Sequence, residues 1–290
     1  MTAPTIAILA HLTDAGAAAL AAHLRRRGHA KVFFANERDL VGARFVHRPP
    51  SGGLDGQAGA PIPDSIQLAG GSLLDERTDL IVFRMSALAP ARQATKERQD
   101  YADAEAFAVA LSWLAGLGDR VLNRPSPMGL AGRQIDVLRL AQLANMVGLT
   151  TPPLRLTTNG ASAAPAGWTR LSWQGFALPV AYPTQTIPAS GPPLPMPAMF
   201  AKPVELLTVA LVAGRRVVGA PPGLDVRTCA LVEAAELNVA EVHFGVPGPG
   251  DTPLVLGVYP VPSIADGHQL DLLTWYAEQR AYSYYVSRAA

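Results

Sequence analysis

The chain has 290 residues, 49% of them hydrophobic and 16% charged, with a formal net charge of +1. That length suits one large α/β unit or two or three packed subdomains with a sizeable core. Balanced charge gives no electrostatic support for a general nucleic-acid or membrane-surface role, and a single cysteine, Cys229, excludes an internal disulfide.

Cys229 lies in an apolar helical run and reads as a core thiol. The three lysines, Lys31, Lys96 and Lys202, limit where a phosphate-binding lysine can stand. The first residues lack the basic and apolar segments of an export signal, and no apolar stretch approaches the ~20 residues of a spanning helix. The expected location is the cytoplasm.

Residues 5–9 predict a buried strand, with Thr13 and Asp14 next as helix-cap candidates. Ala17, Leu20, Ala21 and Leu24 then repeat at helical spacing, and Arg25, Arg26, Arg27 and Gly28 supply a basic last turn and a stop. A solvated helix end explains the triple arginine better than a nucleic-acid patch. Residues 31–35 predict a second strand, completing a β-α-β opening of the doubly wound type.

The Gly- and Pro-rich residues 49–63 predict a surface loop and 79–84 a third buried strand with a polar exit. An alanine-rich helix is predicted over 101–117 and a fourth short strand over 121–125. Residues 134–147 have helical spacing and stop at Gly148, before Pro152 and Pro153.

Residues 159–203 are dense in Pro and Gly, with extended pieces such as 176–181, and predict a small irregular β-rich subdomain. Residues 206–212 and 217–218, joined by Ala213, Gly214 and Arg215, predict a hairpin. A helix over 227–236, strands over 239–244 and 253–258, and an amphipathic helix with aromatic anchors over 270–286 complete the reading. There is no internal repeat and no heptad pattern.

Two stretches resemble the ATP-grasp superfamily, in particular its RimK-like and peptide-modifying ligases. One runs from Val121, Leu122, Asn123, Arg124, Pro125 and Ser126 through a helix to Gly148, Leu149, Thr150, Thr151 and Pro152. The other is Glu241, Val242, His243 and Phe244 followed by Leu256, Gly257, Val258, Tyr259, Pro260, Val261 and Pro262. Between them Phe200, Ala201, Lys202, Pro203, Val204 and Glu205 resemble the family's hinge.

The resemblance covers about residues 119–265. It implies an ATP-grasp-like α/β fold in which an N-terminal doubly wound β-α-β domain, 1–118, precedes two α+β subdomains, 119–205 and 206–290.

In that family ATP phosphorylates a carboxylate, with magnesium held by oxygen ligands and cations neutralising the phosphates. The resemblance implies an Asp, a Glu and an Asn at the metal site, and this chain has His243, Gly257 and Tyr259 there. It implies a phosphate-contacting lysine where Tyr182 stands, and an arginine after the hinge where Leu207 or Thr208 stands. Five concurrent replacements, four of them losses of charge, imply a degenerate pocket, with no catalytic residue and neither ATP nor magnesium expected.

Lys202 is the alternative phosphate lysine; the plainer reading is an exposed hinge pair with Glu205. His243 and Glu241, two apart on a strand, share a face, yet a third metal ligand is lacking nearby and a satisfied histidine is the simpler account. His11 follows the first strand, where doubly wound sheets place ligand-binding loops. Arg84 and Arg124 end the third and fourth strands and suit an anion in one crevice, unless each pairs with a nearby acid. There is no G-x-S-x-G and no phosphate loop.

The expected function is a catalytically inactive ATP-grasp-like protein acting as a binding or structural partner in a cofactor or peptide-modification pathway. Its partner would be an active ATP-grasp ligase or another pathway enzyme, or a second copy of the chain, and neither nucleic acid nor membrane is expected. One alternative is an ATP-dependent carboxylate-amine ligase, using ATP and magnesium, rearranged around Lys202 and Glu233, Glu236 or Glu241. The other is a small-ligand carrier that uses the cleft.

Overall fold

The computed structural model describes residues 3–40, 43–46, 65–69, 71, 73–75, 77–85, 95–157, 166–171, 198–202, 204–248, 250–264 and 266–289. The predicted loop 49–63, the extended piece 176–181 and Tyr182 lie outside them. In chain order the elements begin β1 (Thr5–Leu9), α1 (Ala15–Arg27), β2 (Lys31–Ala35), α2 (Glu37–Leu40), β3 (Arg44–Val46), β4 (Ser65–Gln67), β5 (Leu73–Leu74), β6 (Leu80–Phe83) and α3 (Lys96–Gly116). They continue α4 (Val137–Met146), β7 (Leu154–Thr157), β8 (Thr169–Leu171), β9 (Ala198–Ala201), β10 (Glu205–Ala213), β11 (Arg216–Val218), α5 (Asp225–Ala234), β12 (Val239–Val246), β13 (Leu254–Tyr259) and α6 (Gly267–Ala289). The chain divides into two compact units, residues 1–133 with 263–290, and residues 134–262.

The first unit is built on a parallel sheet ordered β2-β1-β6. The apolar run Ile6 to Leu9 is wholly buried, as a central parallel strand covered on both faces requires. Asp14 caps α1 by accepting the Ala17 N–H at 2.9 Å, and Gly28, at φ 70°, returns its N–H to Leu24 O. A second small sheet, antiparallel β3-β4-β5, has no counterpart in the sequence reading.

Two predicted boundaries move for identifiable reasons. α3 begins at Lys96, capped by Thr95, because its polar first turns supply their own (i, i+4) pairs. These are Lys96 to Asp100 at 2.6 Å, Gln99 to Asp103 at 2.8 Å and Tyr101 to Glu105 at 2.7 Å. The fourth strand over 121–125 shrinks to one parallel bridge, Val121 on Ile81, with Leu122 N–H donating to Ile81 O at 2.8 Å. Pro125 has no N–H with which to extend such a ladder.

α6 packs on α1, β1 and β6, so the terminal helix belongs to this unit and is not grouped with the rest of 206–290. Leu273, Ala277 and Ala281, one turn apart, are fully buried, and Ala17 and Ala21 of α1 are buried too. These small side chains let two helices approach closely. Arg27, in the basic last turn of α1, pairs with Glu278 at 3.1 Å.

The second unit holds antiparallel β11-β10-β12-β13 and antiparallel β7-β9-β8. Asp136 caps α4, receiving the N–H groups of Leu138 and Arg139, so that helix starts later than the apolar spacing alone suggests. Leu140, Leu143, Leu231, Val242, Phe244 and Val255 form the centre of its core. Cys229 packs against that core only part-buried, correcting the reading of a fully interior thiol; burial and then the Asp225 charge push it upward in pKa.

Candidate functional site

Strand alternation sorts β12 into two faces. Val242 and Phe244, with Val258 of β13, point into the core, which turns Glu241 and His243 to the opposite face. Register then sets His243 opposite Gly257, and Glu241 opposite Tyr259. Val209 and Leu211 of β10 complete the same face beside them.

The four residues close on one another. His243 Nε2 lies 2.5 Å from Glu241 Oε1, and the His243 and Tyr259 rings are 4.6 Å apart, tilted at 52°. A Cβ added at Gly257 would meet Tyr259 Oη at 2.6 Å and Cε2 at 2.7 Å, so the phenol ring occupies the volume a side chain at 257 would fill. Burial, and then the nearby Glu241 charge, push the Tyr259 hydroxyl up to about 12. The phenol therefore stays protonated and neutral at physiological pH.

Thr208 donates its hydroxyl to Gly219 O at 3.0 Å, and Leu207 beside it is about half exposed and apolar. No cation stands at either position. Lys202 follows β9, its Nζ 6.0 Å from the Trp168 ring centroid. Among the described residues it makes no ion pair with Glu205, so the hinge pair expected from the sequence does not form. That aromatic contact was not legible in the sequence, where 34 positions separate the two residues.

In the first unit the other candidates sit after the parallel strands but are held by acids. Arg84 donates from Nε to Asp14 Oδ2 at 2.8 Å and from Nη2 to Oδ1 at 3.1 Å, with its side chain 5% exposed. Arg124 pairs with Asp119 at the surface. His11 Nδ1 lies 3.8 Å from Glu37 Oε2, which also accepts the Leu12 N–H at 2.8 Å. Asp14, read as a cap alone, thus has a second role that spacing along the chain could not reveal.

The whole fold resembles solved peptide-modifying enzymes. The macrocyclase MdnC bound with precursor peptide MdnA, from Microcystis aeruginosa MRC, superposes with a TM-score of 0.68 at 12% identity, over 96% of this chain and 99% of that one. A RiPP-associated ATP-grasp ligase from Chryseobacterium gregarium, in complex with ADP and a leader and core peptide, gives 0.66 at 14% identity over 99% and 97%. The ATP-grasp ligase PsnB with minimal precursor, Mg and ADP gives 0.62 at 14% identity over 96% and 98%. This chain has the ATP-grasp fold. No family model and no curated protein matches its sequence.

Ligases of this fold use magnesium and ATP, so the β12–β13 face can be tested for fit. Magnesium asks for hard oxygen ligands in near-octahedral array. Here the face offers one carboxylate, Glu241, already bound to an imidazole, and a phenol that remains protonated. The aromatic ring fills the space over Gly257. Among the described residues no three His, Cys, Asp or Glu side chains gather as a metal site. These residues do not fit the ion.

Proposed function

We propose that this ATP-grasp-fold protein is catalytically inactive and works as a binding or structural partner in a peptide-modification pathway. Its role would be to hold a peptide, or an active ATP-grasp ligase that modifies one. The observation that carries the reading is the Tyr259 ring packed over Gly257 against the His243–Glu241 pair, at positions where the resemblance implies magnesium ligands. The peptide side of the reading is supported by MdnC and PsnB, whose structures were determined with precursor peptides. A fold able to seat a peptide retains that use after its charge-neutralising residues are lost, since peptide recognition and phosphoryl transfer draw on different side chains.

Calorimetric titration with ATP, with and without magnesium, is the test. No heat at about 1 mM nucleotide supports the inactive reading. Tight magnesium-dependent binding that is lost in Lys202→Ala returns the protein to the carboxylate-amine ligases.

A further inference from the structure

The first unit carries an arginine-lined cavity that neither the parallel-strand loops nor the β12–β13 face uses. It is open, about 760 Å³ in volume, and lined by Arg77, Asp79, Arg120, Tyr284, Ser287 and Arg288. Arg77 stands just before β6, Arg120 ends the short 3₁₀ turn Gly118–Arg120, and the other three follow one another along the last turns of α6. The sheet presents its strand beginnings here: Asp79 N–H donates to Thr5 O at 2.9 Å, and Thr5 N–H to Asp79 Oδ2 at 2.8 Å.

Among the described residues the charge of this lining is not balanced. Asp79 is the one acid among them, 2% exposed, and its carboxylate is shared between the Thr5 N–H and Arg288 Nη2 at 3.2 Å. Arg77 and Arg120 have no acidic partner among the described residues. Among the described lining residues three guanidinium groups stand against one carboxylate. Arg120 is half-buried. The Tyr284 and Ser287 hydroxyls lie on the same wall.

Guanidinium groups spread over separate elements, with hydroxyls between them, match a ligand that presents several oxyanions at once. The volume is within the ordinary range for a small-molecule site. We infer that this cavity binds a small molecule bearing two or more phosphate or carboxylate groups. The site is independent of the reading of the β12–β13 face: it belongs to the other unit and shares no residue with it.

The test is calorimetric titration of the full chain with pyrophosphate and, separately, with citrate, at low ionic strength and again at high salt. The expected result is salt-sensitive binding of at least one probe, weakened about tenfold or more in Arg120→Gln and in Arg77→Gln. Binding must be unchanged in Arg98→Gln, which lies on the first turn of α3, roughly 30 Å along the helix from the cavity. Arg288 is left intact because removing it would strip buried Asp79 of its cation. Preference for pyrophosphate assigns a phosphorylated ligand, and preference for citrate a polycarboxylate. Failure of both probes to bind the wild-type chain, or binding that survives in both variants with their fold intact by circular dichroism, overturns the inference.

Discussion

Gly257 has no side chain, and the Tyr259 ring lies where one would be, with Tyr259 Oη 2.6 Å from the position of the missing Cβ. Two residues apart on β13, they share a face, and the absence of one side chain is what admits the other. The same packing brings the phenol to the His243 imidazole and so closes the face chemically as well as sterically.

Gly257→Ala should therefore destabilise the fold by about 1–2 kcal/mol, as read from the urea midpoint. In a Tyr259→Ala background the added methyl meets no ring, and the same substitution should cost much less. Equal costs in both backgrounds would show that Tyr259 does not lie over Gly257 in solution.

The Tyr259 phenol also makes a pH prediction. Its folded value, about 12, exceeds the ordinary tyrosine value near 10, so between the two the native state holds a proton that the unfolded chain releases. Stability must fall as pH rises through that window, and Tyr259→Phe should make the fall shallower. Urea midpoints measured at about pH 9 and about pH 11 compare the two proteins directly. Identical slopes would mean the phenol is solvated.

Arg84 and Asp14 form a largely buried bidentate pair, their side chains 5% and 18% exposed. Arg84→Gln would leave the carboxylate without its cation and should cost about 3 kcal/mol, more than the few tenths typical of a surface arginine. A chemical denaturation curve within 0.5 kcal/mol, roughly the scatter of neutral surface changes, would deny the pair a structural role.

Asp14 supplies the matching acid dependence. Burial works to raise its carboxyl, but the Arg84 hydrogen bond and charge, with the N–H groups of Ala17 and Gly16, outweigh it and hold the carboxyl below the ordinary aspartate value. The stability this contributes is fully present above about pH 4 and is lost as pH falls through the lower folded value. Thermal unfolding followed downward from neutral pH should show that loss, and Arg84→Gln should reduce it. An unchanged acid limb in the variant would point to other carboxylates.

The helix caps offer a local check. Asp136 receives two N–H groups at the start of α4, and Asp136→Ala should cost about 1 kcal/mol. Asp136→Ser should recover most of it, because a hydroxyl can serve the same N–H groups; a serine variant as weak as the alanine one would mean the carboxylate acts through charge and not as a cap.

Much of this architecture follows from local pattern. The short apolar runs within 5–9 and 79–84 read as buried strands, and Asp14, Gly28 and Gly148 punctuate helices through backbone geometry that acts over one turn. The residue types at 243, 257 and 259, where the resemblance implies an Asp, a Glu and an Asn, were equally legible. Less legible were α2 and the β3-β4-β5 sheet, whose strands have only two or three residues each and carry no period to detect.

The sequence by itself determined the main strands and helices of both units and the ATP-grasp resemblance, because each depends on neighbours a few positions apart. Only the tertiary structure decided what packs against Gly257 and which acids the arginines meet. Tyr259 over Gly257 depends on cross-strand register, Arg84 on Asp14 joins residues 70 apart, and α6 returns across more than 130 residues to lie on α1 and leave Arg120 beside Arg288. Long-range contacts of this kind are selected by how whole surfaces fit, and no local propensity specifies them.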